Sequence, residues 1–144
     1  MLLTCPHCSA KNRIDDARLI ERPVCGRCKQ ELFAGAPIAL DTSNFDAVVG
    51  SARPVVVDFW ASWCGPCRAF APTFASQAAA NTEFVFAKVD TDANPELAQR
   101  YAIRSIPTLA VFANGRLLQR VSGALPAAQF ADWLRSVAPA ARTT

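Results

Sequence analysis

Residues 55–72 read Val-Val-Val-Asp-Phe-Trp-Ala-Ser-Trp-Cys-Gly-Pro-Cys-Arg-Ala-Phe-Ala-Pro, and this stretch decides the fold. The β-branched and aromatic run over 55–60 predicts a strand, and the Ala-rich segment 69–80 predicts a helix. Cys64 and Cys67 sit between them. A thiol at the first turn of a helix meets unpaired backbone N–H groups and the positive end of the macrodipole, both of which favour thiolate. Cys64 is therefore the candidate nucleophile. Cys67, one turn on along the same face, can close a small disulfide ring with it and serves as the resolving thiol. The strand also carries an acid, Asp58, flanked by Val57 and Phe59. If both faces of that strand are covered, desolvation raises the carboxyl pKa.

The surrounding composition is that of a globular protein. A chain of 144 residues with 51% apolar residues suits one ordinary domain plus a small appendage. Net charge is +3, divided as +2 over residues 1–36 (six Lys/Arg against four Asp/Glu) and +1 over the rest (nine against eight). Neither part forms a basic patch, so no nucleic-acid partner is expected. No basic segment followed by an apolar run opens the sequence, and no stretch approaches the ~20 apolar residues of a membrane span. We expect no membrane association and a cytoplasmic location. Six cysteines in such a compartment argue for metal or redox chemistry over a disulfide scaffold.

Four of those cysteines lie in residues 1–36. Cys5-Pro6-His7-Cys8 and Cys25-Gly26-Arg27-Cys28 are separated by sixteen residues. Each pair can present two sulfurs from one tight turn, and together they complete a tetrahedral site of four thiolates, the pattern of a zinc ribbon. The segment has few large apolar residues, chiefly Leu2, Leu3, Ile14, Leu19, Ile20, Leu32 and Phe33. One structural Zn2+ would stand in for a core. Pro-His between two cysteines is also similar to the active site of DsbA-type oxidases, but no strand precedes Cys5 to set its thiolate at a helix start. His7 is expected to be exposed.

Residues 34–37, Ala-Gly-Ala-Pro, read as a linker, dividing a zinc-ribbon-like domain at 1–36 from a second domain at 37–144. That domain begins with a short strand at 38–40, and Asp41, Thr42, Ser43 and Asn44 offer N-cap side chains to a helix carrying Phe45, Val48 and Val49. A further strand covers 84–90, and Asn94-Pro95 opens a helix over 96–102. Asn114-Gly115 joins strands at 109–112 and 117–121 in a type I′ hairpin. Phe130, Trp133, Leu134 and Val137 recur at helical spacing, and fraying is expected from Pro139 onward. An α/β fold follows, with a mixed central sheet and helices on both faces.

Trp60, Ala61, Trp63 and Cys64-Gly65-Pro66-Cys67, followed by Arg68 and Pro72, resemble the active-site segment of the thioredoxin family. The resemblance spans residues 38–137, and the ribbon before it is similar to that of the bacterial thioredoxin 2 type. It implies the thioredoxin fold and a protein-disulfide reductase acting on disulfide-containing proteins. It also implies recharging by an NADPH-dependent thioredoxin reductase, with no flavin or nicotinamide bound by this chain. Asp58 would match the buried acid that helps deprotonate the resolving cysteine, with Lys88 as the lysine beside it. Pro107 would match a cis-proline facing the disulfide, turning the backbone of Ile106 toward an extended substrate. Gly123 and Ala124 would form a further wall of the substrate groove, with Trp63, Gly65 and Pro66 on its rim, and Pro72 would kink the long helix. Gly65-Pro66 lacks the histidine of the oxidases, which points to a more reducing disulfide. A different class, a zinc-dependent binding module or holdase chaperone using the fold as a docking scaffold, is disfavoured by the intact Cys64 and Cys67.

Overall fold

A computed structural model describes the backbone of residues 1–143 and all of their side chains except those of Ile20 and residues 138–143. From residue 38 on, the chain alternates strands and helices: β3 Ile38–Leu40, α1 Phe45–Val49, β4 Val55–Trp60, α2 Gly65–Ala80, β5 Val85–Asp90, α3 Pro95–Arg100, β6 Thr108–Ala113, β7 Arg116–Ser122 and α4 Ala127–Thr143. Strands β1 Leu2–Thr4 and β2 Lys11–Arg13 precede them, so a strand does run into Cys5, where none was expected, but a turn and not a helix follows that cysteine. The large sheet runs in the order β3-β5-β4-β6-β7. Helical crossovers make β3, β5 and β4 parallel, whereas the hairpin makes β6 antiparallel to β4 and to β7. Asn114 and Gly115 have φ of 52° and 79°, as the type I′ turn requires.

Strand alternation distributes the core between two faces. Val55, Val57 and Phe59 pack with Phe45, Val48 and Val49 of α1 and Leu97 of α3. Val56 packs on the other face with Phe70, Phe74 and Ala78 of α2 and with Phe130, Leu134 and Val137 of α4. Strand β4, paired on both edges, is buried from Val55 to Phe59, and this burial carries Asp58 inside with it. Helix α4 continues past Pro139, where fraying was expected. Ala138, Ala140 and Ala141, the strongest helix formers, surround that proline.

The ribbon is built from two similar turns. Cys5 N–H donates to Ala10 O at 2.8 Å and Ser9 N–H to Cys5 O at 3.0 Å; Cys25 N–H donates to Gln30 O at 2.8 Å and Lys29 N–H to Cys25 O at 3.0 Å. Ser9 and Lys29 take the same left-handed φ, 67° and 66°. Strands β1 and β2 pair antiparallel, and a 3-10 helix, Asp16–Glu21, follows.

The ribbon docks on the sheet. Leu3, Leu19, Leu32 and Phe33 are buried in the same cluster as Ile38, Leu40, Phe45 and Val48, so its sparse apolar residues join a shared core. Asn44, buried at the start of α1, does not cap its helix by a side-chain bond. Its Oδ1 accepts from Asp41 N–H at 2.8 Å and its Nδ2 donates to Leu2 O of β1 at 3.3 Å. Asn94 likewise leaves α3 uncapped by its side chain, accepting from Thr42 N–H and donating to Asp90 O. Both amides link segments distant in sequence, which is why capping logic misassigns them. Arg53 Nη2 donates to Phe33 O at 3.4 Å and Thr82 O at 3.1 Å. The stretch read as a linker is packed, with Ala34 buried.

Candidate active site and metal centre

Cys64 is the N-cap residue of α2, with extended backbone at φ −83° and ψ 111°. Its Sγ accepts from Cys67 N–H at 3.1 Å and is bonded to Cys67 Sγ, the two Cα atoms lying 5.2 Å apart. Both sulfurs are buried, in a cluster with Ala61 against Trp60 and Ile106. The helix start and the pyrrolidine of Pro66 in the first turn fix this geometry, since proline loses nothing where an N–H would be unpaired. Pro72 lies inside α2. Without an N–H it leaves Arg68 O without its helical donor.

Ile106, one of the residues expected in a substrate groove, packs against this pair. The Ile106–Pro107 peptide is cis, and Ile106 O lies 3.7 Å from Cys64 Sγ. Gly123, at φ 111°, donates its N–H to Pro107 O at 2.8 Å, and no atom lies within 4 Å of the position a Cβ would occupy there. Trp63 is 67% exposed and donates Nε1–H to Asp92 Oδ2 at 2.8 Å; Gly65, Pro66 and Ala124 are also exposed. Nothing in the sequence marked Asp92 as the residue that orients Trp63, because the contact crosses 29 positions.

Asp58 is fully buried, and neither carboxylate oxygen has a hydrogen-bond partner. Burial pushes its pKa up from 3.8 to about 7, with the positive charge of Lys88 opposing. Lys88 stands beside Asp58 in the parallel register of β4 and β5, and its Nζ lies 4.4 Å above the centroid of Trp60. Among the described residues the two form no ion pair, so Lys88 acts on the carboxyl through space.

The ribbon cysteines form a second cluster. Cys5 and Cys28 sulfurs are 3.7 Å apart, Cys8 and Cys25 sulfurs 3.6 Å, and all four lie within 4.8 Å of one another. Zn–S bonds of ~2.3 Å in a tetrahedron give S···S edges of about 3.8 Å, so the donor set fits Zn2+. Backbone N–H groups of His7 and Arg27 reach Cys5 and Cys25 sulfurs at 3.4 and 3.3 Å, and Asn12 Nδ2 reaches Cys25 at 3.4 Å. Hydrogen bonding from the Cys28 backbone, then from Asn12, holds the Cys25 thiol down to about 5, against burial. Such N–H···S bonds support a thiolate ligand. His7 is half-buried rather than exposed: its Nε2–H donates to Glu31 O at 3.0 Å and Ala34 O at 3.1 Å. Two carbonyls that need a donor draw the ring inward, away from the role of a surface side chain.

The profile of the thioredoxin family matches residues 36–136. The chain belongs to the thioredoxin family. Residues 4–30 match a second profile, described as the N-terminal part of thioredoxin 2. Thioredoxin C-3 of Corynebacterium nephridii is 43% identical over 135 residues, covering 93% of this chain and 93% of that protein. The bifunctional thioredoxin reductase/thioredoxin of Mycobacterium leprae (strain TN) is 41% identical over 108 residues, 74% of this chain and 24% of that protein. Among solved structures, the thioredoxin of Plasmodium falciparum aligns with a TM-score of 0.66 at 32% identity, covering 69% of this chain and 98% of that one. The protein is a thiol-disulfide oxidoreductase, and its Cys64–Cys67 pair fits the family's active site. No helix among its described residues is long and apolar enough to cross a membrane.

Proposed function

We propose that the protein reduces disulfides in other proteins through Cys64 and Cys67. The observation that carries this is the seating of Cys64 as N-cap of α2, its sulfur accepting the Cys67 N–H and facing the Ile106 carbonyl. In the reduced state the helix N-terminus and that N–H favour the Cys64 thiolate. The thiolate attacks one sulfur of a substrate disulfide; a Cys64–substrate bond forms and the other substrate sulfur leaves as thiolate. An extended substrate segment pairs with the Ile106 backbone, between Trp63, Gly65 and Pro66 on one side and Pro107, Gly123 and Ala124 on the other. Asp58, in its ionised form, then takes the proton of Cys67; Lys88 raises the fraction of Asp58 that is ionised and able to do so. The Cys67 thiolate attacks Cys64 Sγ; the Cys64–Cys67 bond forms and the substrate leaves as its second thiolate.

Recharging requires two electrons from outside the chain. A flavin-containing, NADPH-dependent thioredoxin reductase is the proposed donor, supported by the relative that joins a reductase and a thioredoxin in one chain. Residues 1–36 are proposed as a zinc-ribbon domain in which Cys5, Cys8, Cys25 and Cys28 hold one structural Zn2+. That ion would supply the ribbon with its cross-link, and its thiolates would double as a sensor of oxidants. A cytoplasmic location fits this chemistry, because reduced thiols are required at both centres. Insulin reduction by the full chain with NADPH and a thioredoxin reductase tests the activity: turbidity and NADPH consumption are expected, and their absence with both cysteines intact would overturn it.

A further inference from the structure

Residues 103–107, between α3 and β6, form neither helix nor strand. Among the described residues the N–H of Ile106 has no hydrogen-bond partner, while its carbonyl oxygen lies 3.7 Å from Cys64 Sγ. Such a segment has no ladder of its own, so the direction of the Ile106 backbone depends on whatever grips the residues around it.

Two side chains of β7 supply that grip. Arg120 and Ser122 are two residues apart and point to one side of the sheet, whereas Val121 packs on the other with the cluster of α2 and α4. Arg120 Nη1–H donates to Tyr101 O at 2.5 Å and Nη2–H to Ala102 O at 3.4 Å. These carbonyls end α3, where Ala102 takes a left-handed φ of 51°, and a cation suits the negative end of a helix. On the β6 side Thr108, fully buried, gives its one hydroxyl proton to Ser105 O at 2.6 Å. The Ser122 hydroxyl, 3.3 Å away, therefore donates to Thr108 Oγ1 and orients it. Gly123, next in sequence, donates its N–H to Pro107 O. Ile106 is thus bracketed, by Tyr101 and Ala102 before it and by Ser105 and Pro107 on either side.

We propose that Arg120 and Ser122 are positioning residues for disulfide exchange: from β7 they fix the segment before β6, so that the Ile106 backbone is presented beside Cys64 already set for an extended substrate. A backbone ordered in advance lowers the ordering cost of binding, so the effect falls on substrate affinity and not on the thiol chemistry. This inference rests on the reading of Ile106 as the backbone with which substrate pairs.

The test uses the full-length, zinc-loaded protein, reduced beforehand, and two substrates. One is a disulfide-bonded peptide; the other is the same peptide with the backbone amides flanking its cysteine N-methylated, which cannot donate to Ile106 O. Oxidation of the protein is followed by tryptophan fluorescence, Trp60 packing against the pair, and saturation separates the half-saturating concentration from the limiting rate. The parent should require about fivefold more of the methylated peptide, the scale of one lost hydrogen bond. Arg120→Ala and Ser122→Ala should each raise the half-saturating concentration of the unmodified peptide roughly two- to threefold at an unchanged limiting rate. The methylated peptide should be unaffected, so the preference shrinks. Arg120→Lys should restore part of it, keeping the charge without the fork, and Ser122→Thr all of it, keeping the hydroxyl. Both residues are exposed on the last strand of the sheet, so the variants should keep the fold and equal zinc content. An alanine variant that keeps the parent's preference would overturn the role of that residue. One that slows both peptides equally would overturn it too, since the loss would then lie outside the pairing backbone. A parent that treats both peptides alike would overturn instead the reading of Ile106.

Discussion

Asp58→Asn should stabilise the oxidised protein increasingly as pH rises. In the fold, burial raises the carboxyl pKa from 3.8 to about 7, with Lys88 opposing. A raised acid pKa means that the folded state binds a proton more tightly than the unfolded chain. Between pH 3.8 and about 7 the unfolded chain gains an ionised carboxylate that the folded state resists, and stability falls by about 1.4 kcal/mol per pH unit. Below pH 3.8 both states are protonated and no penalty exists. Above about 7 both are ionised and the penalty levels off at on the order of 4 kcal/mol. Asparagine keeps the shape and cannot ionise, while its amide meets the same partnerless surroundings as the protonated acid. Urea melts of parent and variant should therefore nearly coincide at pH 4 and diverge by pH 8. With slopes of roughly 1–3 kcal/mol per molar urea, the midpoint of the variant should lie at least about 1 M higher at pH 8. A gap that does not change with pH, or a variant less stable at pH 8, would show that Asp58 is paired or solvated and refute the argument.

Cys64→Ser should abolish insulin reduction, whereas Cys67→Ser should accumulate mixed disulfides with substrate proteins on non-reducing gels; equal trapping by both would reverse or discard their roles. Peroxide should oxidise the four ribbon thiols to disulfides and thereby release Zn2+, read by thiol counting and metal content, and the ribbon should lose the order of 10 kcal/mol that structural zinc contributes to modules of this kind. Zinc retained after loss of all four thiols would contradict this. A chain starting at Ala36 should keep its large sheet and its disulfide chemistry, but it uncovers the face that Leu3, Leu19, Leu32 and Phe33 bury. Its Tm should drop by on the order of 10 °C. An unchanged Tm would mean that the shared core contributes nothing.

Much of this protein is readable along the chain because the information is local. A strand of β-branched residues, two cysteines at a helix start, an Asn-Gly turn and two Cys-x-x-Cys knuckles each carry their own geometry. The strands of the large sheet, the hairpin, the redox pair and the four-sulfur cluster follow from periodicity and spacing, whereas β1, β2 and the 3-10 helix of the ribbon do not. Their meeting is another matter. Asn44 and Asn94 look like helix caps, and their side chains instead tie Leu2, Asp41, Thr42 and Asp90 together across the fold. His7 looks like a surface residue, and two distant carbonyls draw it in. The ribbon looks too poor in apolar residues for a core because its partners lie on α1 and β3. Composition and periodicity report what each segment can bury; which surface it is buried against depends on the closing of long loops, and only the tertiary structure decides that.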